Sequence, residues 1–254
     1  MTSFDARSNP ATYDSIGRGY ANHRLPDPRI AARIWHGLGE AKRVCNVGAG
    51  AGSYEPVDRA VVAVEPSRAM IAQRAPGTAV VRAAAEALPF ADQSFDAAMA
   101  LMTVHHWHDV ARGLRELRRI APLRVLFVFD PTGSMDQWLV RDYLPQIHAL
   151  ELNRAPRIEW LVEQLGRATV EVVPVPWDCT DGFQAAYWRR PERYLDPQVR
   201  ASISTLAVLP DEIVDPAMTR LADDLASGRW AERNSELLSE PERDYAYRLI
   251  VSRD

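Results

Sequence analysis

The sequence is poor in the features that would place it outside the cytoplasm. Among 254 residues there are two cysteines, Cys45 and Cys179, which is too few for a disulfide framework, and no C-x-x-C pair suggests a zinc site. No apolar run approaches the roughly 18 to 20 residues that cross a bilayer. The N-terminal "MTSFDARSNP" lacks the basic and then apolar pattern of a signal peptide. We therefore predict a cytoplasmic protein that has no contact with membranes and no metal site.

Lysine is almost absent, because Lys42 is the only one and arginine carries the remaining positive charge. We interpret this bias as the mark of a GC-rich coding sequence, such as a bacterial one, and not as a functional signal. The net charge of −4 argues against a nucleic-acid partner, since such proteins usually present a basic surface. The arginines of "RGLRELRRI" fit a solvated helix face better than a track for phosphates.

Short apolar runs alternate with helical segments through the first half of the chain. The predicted strands span residues 43–47, 60–64, 79–82, 95–101 and 124–130, and the predicted helices between them span 67–74 and 109–120. Buried strands that alternate with helices indicate a parallel sheet with helices on both faces. The fold class predicted from this pattern is α/β.

The remaining segments are less regular, and we assign all of them to one domain over residues 1–254. Two helices within 11–39 are predicted to form an N-terminal lid, and the core sheet is expected over 43–177. An insertion is predicted at 134–156, a covering helix at 158–165 and a sixth strand at 169–177. A helical cap rich in Trp, Tyr and Pro is expected from 178 to about 240, before a closing strand at about 244–252.

A glycine-rich turn, "VCNVGAGAGSYEP", directly follows the first predicted strand. Counting from Gly48, a dinucleotide fingerprint would need a third glycine where Ser53 stands, and a phosphate loop would need G-K-[ST]. The second strand ends in Glu65, whose carboxylate can accept hydrogen bonds from ribose hydroxyls. The glycine-rich turn and Glu65 together predict a nucleoside ligand without a pyrophosphate. The alternative is a plain tight turn beside a surface charge.

Three stretches in succession resemble a known family: "VCNVGAGAGSYEP", "VVAVEPS" and "AAAEALPFADQSFDAAMALMTVHHWHD". They are similar to the motifs of class I S-adenosylmethionine-dependent methyltransferases, in the small-molecule branch with the ubiquinone and menaquinone C-methyltransferases. The resemblance covers roughly residues 11 to 130. It implies a Rossmann-like sheet of seven mostly parallel strands with an antiparallel last strand, and S-adenosyl-L-methionine as cofactor.

The resemblance also implies a set of cofactor contacts. The glycine turn would pass under the methionine part, Glu65 would hold the ribose, and the residues after it would flank the adenine. An N-terminal helix would close over the cofactor. The implied residues are Tyr13, Tyr20, Arg24, Asn46, Gly48, Ala49, Gly50, Glu65, Pro66, Ser67, Ala85, Glu86, Leu88, Met102 and Thr103.

Two positions depart from the family pattern. Asn46 stands where the first strand usually carries an acidic residue, which weakens the expected help in holding the cofactor's amino group. Ala84 replaces an aspartate that often reaches the adenine amino group. Adenine recognition is then expected to rest on backbone groups and apolar packing.

The segment "VHHWHD" after the fourth strand carries His105, His106 and His108. A metal site is one interpretation, although the i, i+1, i+3 spacing points the rings in different directions. A structural role under the pocket is another. The third is catalytic: methyl transfer mainly needs alignment and exclusion of water, and a base only where the acceptor must lose a proton. We choose His106, and after it His105, as base, with a pKa of about 6 to 7.

The substrate pocket is expected in the cap, where aromatic side chains can line it or form the cap's own core. Tyr187 and Trp188 are the predicted lining residues, with His148 on the inserted helix. The predicted function is methyl transfer to a small-molecule metabolite. A cyclisation or another reaction on the same fold, and a non-catalytic binding protein, remain open, as does the oligomeric state.

Overall fold

A seven-stranded sheet organises the protein, whose computed structural model describes residues 24–254. Five strands follow the predicted alternation closely, and their ends agree with the predicted ones to within two residues. The strands are β1 (Arg43–Val47), β2 (Ala60–Val64), β3 (Val80–Val81), β4 (Ala97–Leu101), β5 (Leu123–Phe129), β6 (Ala168–Val172) and β9 (Tyr247–Arg253). A separate pair, β7 (Val175–Pro176) and β8 (Glu242–Arg243), lies outside this sheet.

The strand order is β3-β2-β1-β4-β5-β9-β6. The first five strands run parallel, whereas β9 is antiparallel to both of its neighbours, β5 and β6. The order reverses between β1 and β4, which makes a crevice at the carboxyl ends of these strands, where ligands bind in open α/β sheets. This topology confirms the predicted Rossmann-like sheet with an antiparallel last strand.

Helices cover both faces of the sheet. The helices in the first two thirds of the described chain are α1 (Pro28–Gly37), α2 (Arg68–Ile71), α3 (Val110–Ile120), α4 (Gln146–Arg154) and α5 (Ile158–Leu165). One face packs with α1 and the later helices around Val125 and Phe127, while the other packs with α3 and α5 around Ala98.

The second helix of the predicted N-terminal lid packs against the sheet. Helix α1 begins at the N-cap Asp27, which accepts a hydrogen bond from Arg29 N, and it buries Ile30 and Ile34 against the sheet. A Cβ on Gly37 would lie 3.1 Å from a methyl carbon of Val251 in β9. Residues 28–37 are therefore core packing and not a lid, because their apolar stripe faces the sheet. The first predicted helix lies outside the described residues.

The inserted and cap segments are built from short helices. The insertion holds a 3₁₀ turn (Pro131–Asp136), a π-helical turn (Leu139–Tyr143) and α4, in place of one long helix, because Pro145 interrupts it. The cap contains α6 (Pro197–Ser202), α7 (Ser204–Ala207), α8 (Asp211–Ala226) and α9 (Arg229–Arg233), with 3₁₀ turns at Gln184–Tyr187, Pro191–Leu195 and Ser235–Ser239.

Candidate active site at the carboxyl edge of the sheet

The glycine turn after β1 adopts a backbone conformation that side chains disfavour. Gly48, Gly50 and Gly52 have φ of 72°, 52° and 98°, in the left-handed region that glycine enters without steric cost. Space is a second constraint, because a Cβ at position 48 would lie 2.0 Å from Oγ1 of Thr103, in the loop after β4. The turn can therefore approach the neighbouring loop closely only as glycine.

Glu65 joins this turn to the end of β2. Its Oε2 accepts a hydrogen bond from Gly50 N (2.8 Å), and its Oε1 accepts one from Ser67 N (2.8 Å). Glu65 is buried, with 7% of its surface exposed, so these bonds fix a carboxylate at the end of β2, beside the glycine turn that borders the crevice. Each carboxylate oxygen can accept up to two hydrogen bonds, which suits the paired hydroxyls of a ribose.

Asn46, in the position where the sequence departs from the family pattern, sits in a buried polar network. Its Nδ2 donates to Oε1 of Glu55 (2.9 Å), and Arg74 neutralises Glu55 through Nη2 at 2.6 Å from Oε2. A carboxylate only accepts hydrogen bonds, so Glu55 fixes the amide with its nitrogen toward Glu55 and its Oδ1 away. Within residues 24–254 this buried Oδ1 has no hydrogen-bond partner.

The other predicted cofactor residues surround the same crevice. Ser67 caps α2 by accepting from Met70 N, with Pro66 before it, while Ala49 is buried in the turn. Ala85 and Leu88 are buried in the loop after β3. Glu86 accepts a hydrogen bond from Asp109 N (3.0 Å), so it fastens that loop to the start of α3.

These residues fit a nucleoside with an attached ammonium group. The unpartnered Oδ1 of Asn46 is a buried acceptor suited to an N–H donor, and the fixed Glu65 carboxylate is suited to two hydroxyls. The buried Ala85 and Leu88 offer apolar packing for a base. The donor and acceptor set thus matches S-adenosylmethionine.

A second feature is a cavity that begins beside the crevice, at Met102, and extends under the cap. Its apolar lining comes from β5, β9 and the cap: Phe129, Phe183, Ile203 and Tyr247. Its polar lining comes from Arg24, His105, His106, Glu151, Gln184, Ser204 and Thr205. The cavity therefore has one apolar, largely aromatic side and one polar side.

His105 and His106, the two residues predicted as candidates for the base, both line the cavity. Their rings lie 3.9 Å apart, and Arg154 Nη2 is 3.2 Å from Nδ1 of His106. Since a guanidinium only donates, Nδ1 accepts this bond and the proton of the neutral ring is on Nε2. Burial, the other ring and the charges of Arg154 and Arg24 hold the pKa of His106 well below its usual range, whereas we expected about 6 to 7.

Glu151 is a cavity residue that the sequence reasoning missed. It lies on α4 with 4% of its surface exposed, and within the described chain its Oε2 has no hydrogen-bond partner. Burial raises the pKa of Glu151 to about 7, against the smaller opposing effects of Ser134, Gln184 and Arg154. The available signal was its position four residues after the buried Ile147, on the same helix face.

The predicted substrate residues lie away from the cavity. Tyr187 packs on Tyr194 with ring centroids 5.7 Å apart, and Trp188 donates through Nε1 to Val175 O at 3.1 Å, so both belong to the cap's core. The neighbouring Phe183 and Gln184 line the cavity in their place, because the 3₁₀ turn directs the later side chains inward. His148 contacts Oγ of Ser134 at 2.7 Å and does not reach the cavity.

Arg24 lines the cavity and forms an ion pair with the buried Asp181 of the cap segment, at 2.5 Å between Nε and Oδ1. Its predicted role toward the cofactor stays a prediction, and Tyr13 and Tyr20 lie outside the described residues. In the part of the chain that the structure covers, His, Cys, Asp and Glu form no group of three that could hold a metal ion. Nor does any helix over residues 24–254 have the length and apolar character needed to span a membrane.

Known proteins share this architecture. A family model for a methyltransferase domain matches residues 45–127. The crystal structure of a proposed methyltransferase from an antibiotic biosynthesis pathway of Anabaena variabilis is 32% identical, with a TM-score of 0.83, and the match covers 91% of this chain and 98% of that one.

More distant structures show the fold alone. A proposed histamine N-methyltransferase of Thermotoga maritima is 18% identical, with a TM-score of 0.55 over 96% of this chain and 97% of that one. The [4+2]-cyclase SpnF is 15% identical, with a TM-score of 0.55 over 100% and 98%.

Two curated relatives match over shorter stretches. The uncharacterized Escherichia coli protein YafE is 45% identical over 60 residues, which is 22% of this chain and 29% of that protein. An uncharacterized protein of Methanocaldococcus jannaschii is 28% identical over 138 residues, 52% of this chain and 55% of that protein. The predicted family is confirmed by the family model together with the full-length similarity to the Anabaena structure: the chain belongs to the class I S-adenosylmethionine-dependent methyltransferases.

Proposed function

We propose that this protein transfers a methyl group from S-adenosylmethionine to a small molecule bound in the cavity under the cap. The observation that carries the proposal is the continuity of the two sites through consecutive residues. Met102 lines the cavity, while Thr103 contacts the glycine turn at Gly48. Met102 itself has φ of 52°, which is unusual for a non-glycine residue and marks a constrained loop at this junction.

In this proposal the residues of the crevice hold the cofactor. Glu65 accepts from the ribose, Oδ1 of Asn46 accepts from the ammonium group, and Gly48 to Gly50 let the backbone approach closely. The cofactor supplies an electrophilic methyl group on a sulfonium. The contribution of the chain is to orient the acceptor toward that methyl group and to exclude water.

The cavity favours a small acceptor. Its lining combines an apolar, largely aromatic side with a few polar groups, which is typical of small-molecule sites. The net charge of −4 and the salt-paired arginines of α3, such as Arg119 with Glu116, do not form the basic track that a nucleic acid needs. His105 and His106, at the cavity wall, would orient the acceptor next to the methyl group.

Calorimetry tests the cofactor part of the proposal. We expect S-adenosylmethionine and S-adenosylhomocysteine to bind in the micromolar range and NAD to bind far more weakly, because Ser53 breaks the dinucleotide pattern. Product analysis after an acceptor screen tests the reaction: methyl transfer yields S-adenosylhomocysteine and a product heavier by one methylene. Conversion of an acceptor without that mass change would favour cyclisation, and tight cofactor binding without any turnover would favour a binding protein.

Glu65→Ala should weaken the binding of S-adenosylmethionine by about 1.5 to 3 kcal/mol, because it removes charged hydrogen bonds to the ribose. Glu40→Ala, at an exposed position outside the crevice, is the matched control and should leave the affinity unchanged. An unchanged affinity in a folded Glu65→Ala variant would show that the ribose binds elsewhere.

A further inference from the structure

We propose that Glu151 accepts the proton of the methyl acceptor, and that the acceptor is an uncharged or cationic small molecule with an apolar body and one N–H or O–H group. The proposal rests on the proposed function, which it makes more specific. It assigns a catalytic base and a substrate class to the cavity, and it moves the base from the histidine pair to α4.

The first argument is the state of the carboxyl group. Glu151 is more than nine-tenths buried, lines the cavity, and has in Oε2 an acceptor without a partner in residues 24–254. Leaving such an atom unpaired costs free energy, so a cavity of this kind is suited to a ligand that brings a hydrogen-bond donor. Ser134 and Gln184 lie near the carboxyl group and lower its pKa, but they offset only part of the rise that burial causes.

The second argument is the arrangement of the rings. Phe183 and Tyr247 have centroids 4.6 Å apart, and Phe129 lies 6.4 Å from Tyr247. His105 stands edge-on to Phe129, with 5.1 Å between the ring centroids. These rings form the apolar side of the cavity opposite the polar side, so an acceptor with an apolar body and one polar group fits both.

The third argument is the comparison with the histidines. Nδ1 of His106 already accepts a hydrogen bond from Arg154, and burial together with the nearby guanidinium groups disfavours a proton on either ring. A group that resists protonation is a weak base. Glu151 differs, because its pKa of about 7 lets it lose and regain a proton near neutral pH. The titratable groups that share the cavity with Glu151 are Arg24, His105, His106 and Tyr247, and the charge of Arg154 also acts on it.

The proposed step conserves atoms and charge. The N–H or O–H bond of the acceptor breaks, and its proton moves to Oε2 of Glu151. The electron pair left on the acceptor atom forms the bond to the methyl carbon, and the sulfur keeps the pair of the broken carbon–sulfur bond. The carboxyl group then releases the proton to solvent as the product leaves. An anionic acceptor is disfavoured, since it would meet a buried carboxylate that forms no ion pair with any residue of 24–254.

The first experiment measures binding without cofactor, so its result does not depend on the proposed function. Phenol, benzylamine and benzoate are titrated at pH 8 against the wild type, Glu151→Gln and Glu159→Gln. Glu159 is an exposed residue of the neighbouring α5 and serves as the matched control. Melting temperatures establish that each variant is folded.

We expect the wild type and Glu159→Gln to bind phenol and benzylamine at least tenfold more tightly than benzoate. Glu151→Gln should lose most of this preference, mainly through weaker binding of benzylamine and tighter binding of benzoate. A preference that persists in Glu151→Gln, a wild type that favours benzoate, or no binding of either donor fragment would each overturn the proposal.

The second experiment uses a phenol or amine that the wild type methylates. Glu151→Gln should lower kcat by about 10²- to 10⁴-fold, with unchanged affinity for S-adenosylmethionine, and should abolish a break near pH 7 in the rate profile of the wild type. Full activity of this variant would overturn the role of Glu151 as base. Failure of the wild type to bind S-adenosylmethionine would instead contradict the proposed function.

Discussion

Three of the buried carboxylates, Glu65, Asp181 and Glu151, lie in three different environments. Glu65 is held by two backbone N–H groups, and Asp181 pairs with Arg24 and accepts from the hydroxyl of Tyr54 (2.8 Å). Glu151 has neither kind of support at Oε2 from residues 24–254, and burial raises its pKa to about 7. The chemistry available to each group is set by what surrounds it, so residue type alone does not identify the base.

The raised pKa of Glu151 predicts how stability depends on pH. The folded protein holds the proton up to about pH 7, while the unfolded chain loses it near the ordinary value of 4.5, so the free energy of unfolding falls as pH rises between these values. Glu151→Gln removes this loss. Its stability relative to the wild type should therefore increase by about 3 kcal/mol from pH 4.5 to pH 8.

Urea unfolding at several pH values measures this difference. The free energy of unfolding of the control Glu159→Gln should depend on pH in the same way as that of the wild type. Parallel curves for Glu151→Gln as well would show that Glu151 titrates at its ordinary value and is not desolvated.

The contact between Asn46 and Glu55 predicts the effect of the acidic residue that the family pattern implies at position 46. In Asn46→Asp a second carboxylate would replace the amide that donates to Glu55, and the two like charges would repel. We expect a loss of about 1 to 3 kcal/mol in the free energy of unfolding at pH 7. The added change Glu55→Gln supplies an amide that can donate to the new aspartate, so the double variant should be less destabilised than the sum of the single changes. Additive effects in urea unfolding would contradict this contact.

Among the elements, the predictions agree with the structure where a local sequence pattern determines the element. The strands β1 and β2 begin and end at the predicted residues, because buried parallel strands are short apolar runs between turns. The glycine turn and Glu65 were predicted for the same reason: both are fixed by local spacing at strand ends. The cavity was not, because its wall joins Met102, Glu151 and Phe183, which come from distant segments.

Helix α3 carries a prediction that opposes the usual helix propensities. An alanine in place of a mid-helix glycine normally stabilises by about 1 kcal/mol. At Gly113, however, a Cβ would lie 2.4 Å from Cε3 of Trp107. Gly113→Ala should therefore lower the free energy of unfolding by about 1 to 3 kcal/mol through overpacking.

The double variant with Trp107→Ala provides the control for Gly113→Ala, because it removes the ring with which the new methyl group would clash. Gly113→Ala should then become neutral or stabilising in the Trp107→Ala background, as measured by urea unfolding. A loss of equal size in both backgrounds would place the cause elsewhere.

At the scale of the whole molecule, Asp181 connects the cap segment to the rest. It is fully buried, pairs with Arg24 near the start of the described chain, and accepts from Tyr54 just after the glycine turn. Asp181→Ala should reduce the free energy of unfolding by about 3 kcal/mol, because it removes the carboxylate that a buried guanidinium and a phenol share.

Asp178→Ala is the matched control, since Asp178 forms a solvent-exposed ion pair with Arg29 only three positions away. Its loss should stay below about 1 kcal/mol. Equal losses in the two variants would mean that the buried pair contributes no more than an exposed one.

The position of β9 between β5 and β6 also has a consequence for how the chain folds. β9 pairs with β5 across about 120 residues of intervening sequence, from Phe129 with Tyr247 to Leu123 with Arg253. Until the last segment arrives, β5 is an open edge with unpaired N–H and C=O groups and the apolar side chains of a central strand. Such distant pairing is slow to form, so the newly made protein passes through a period in which β5 is exposed to aggregation.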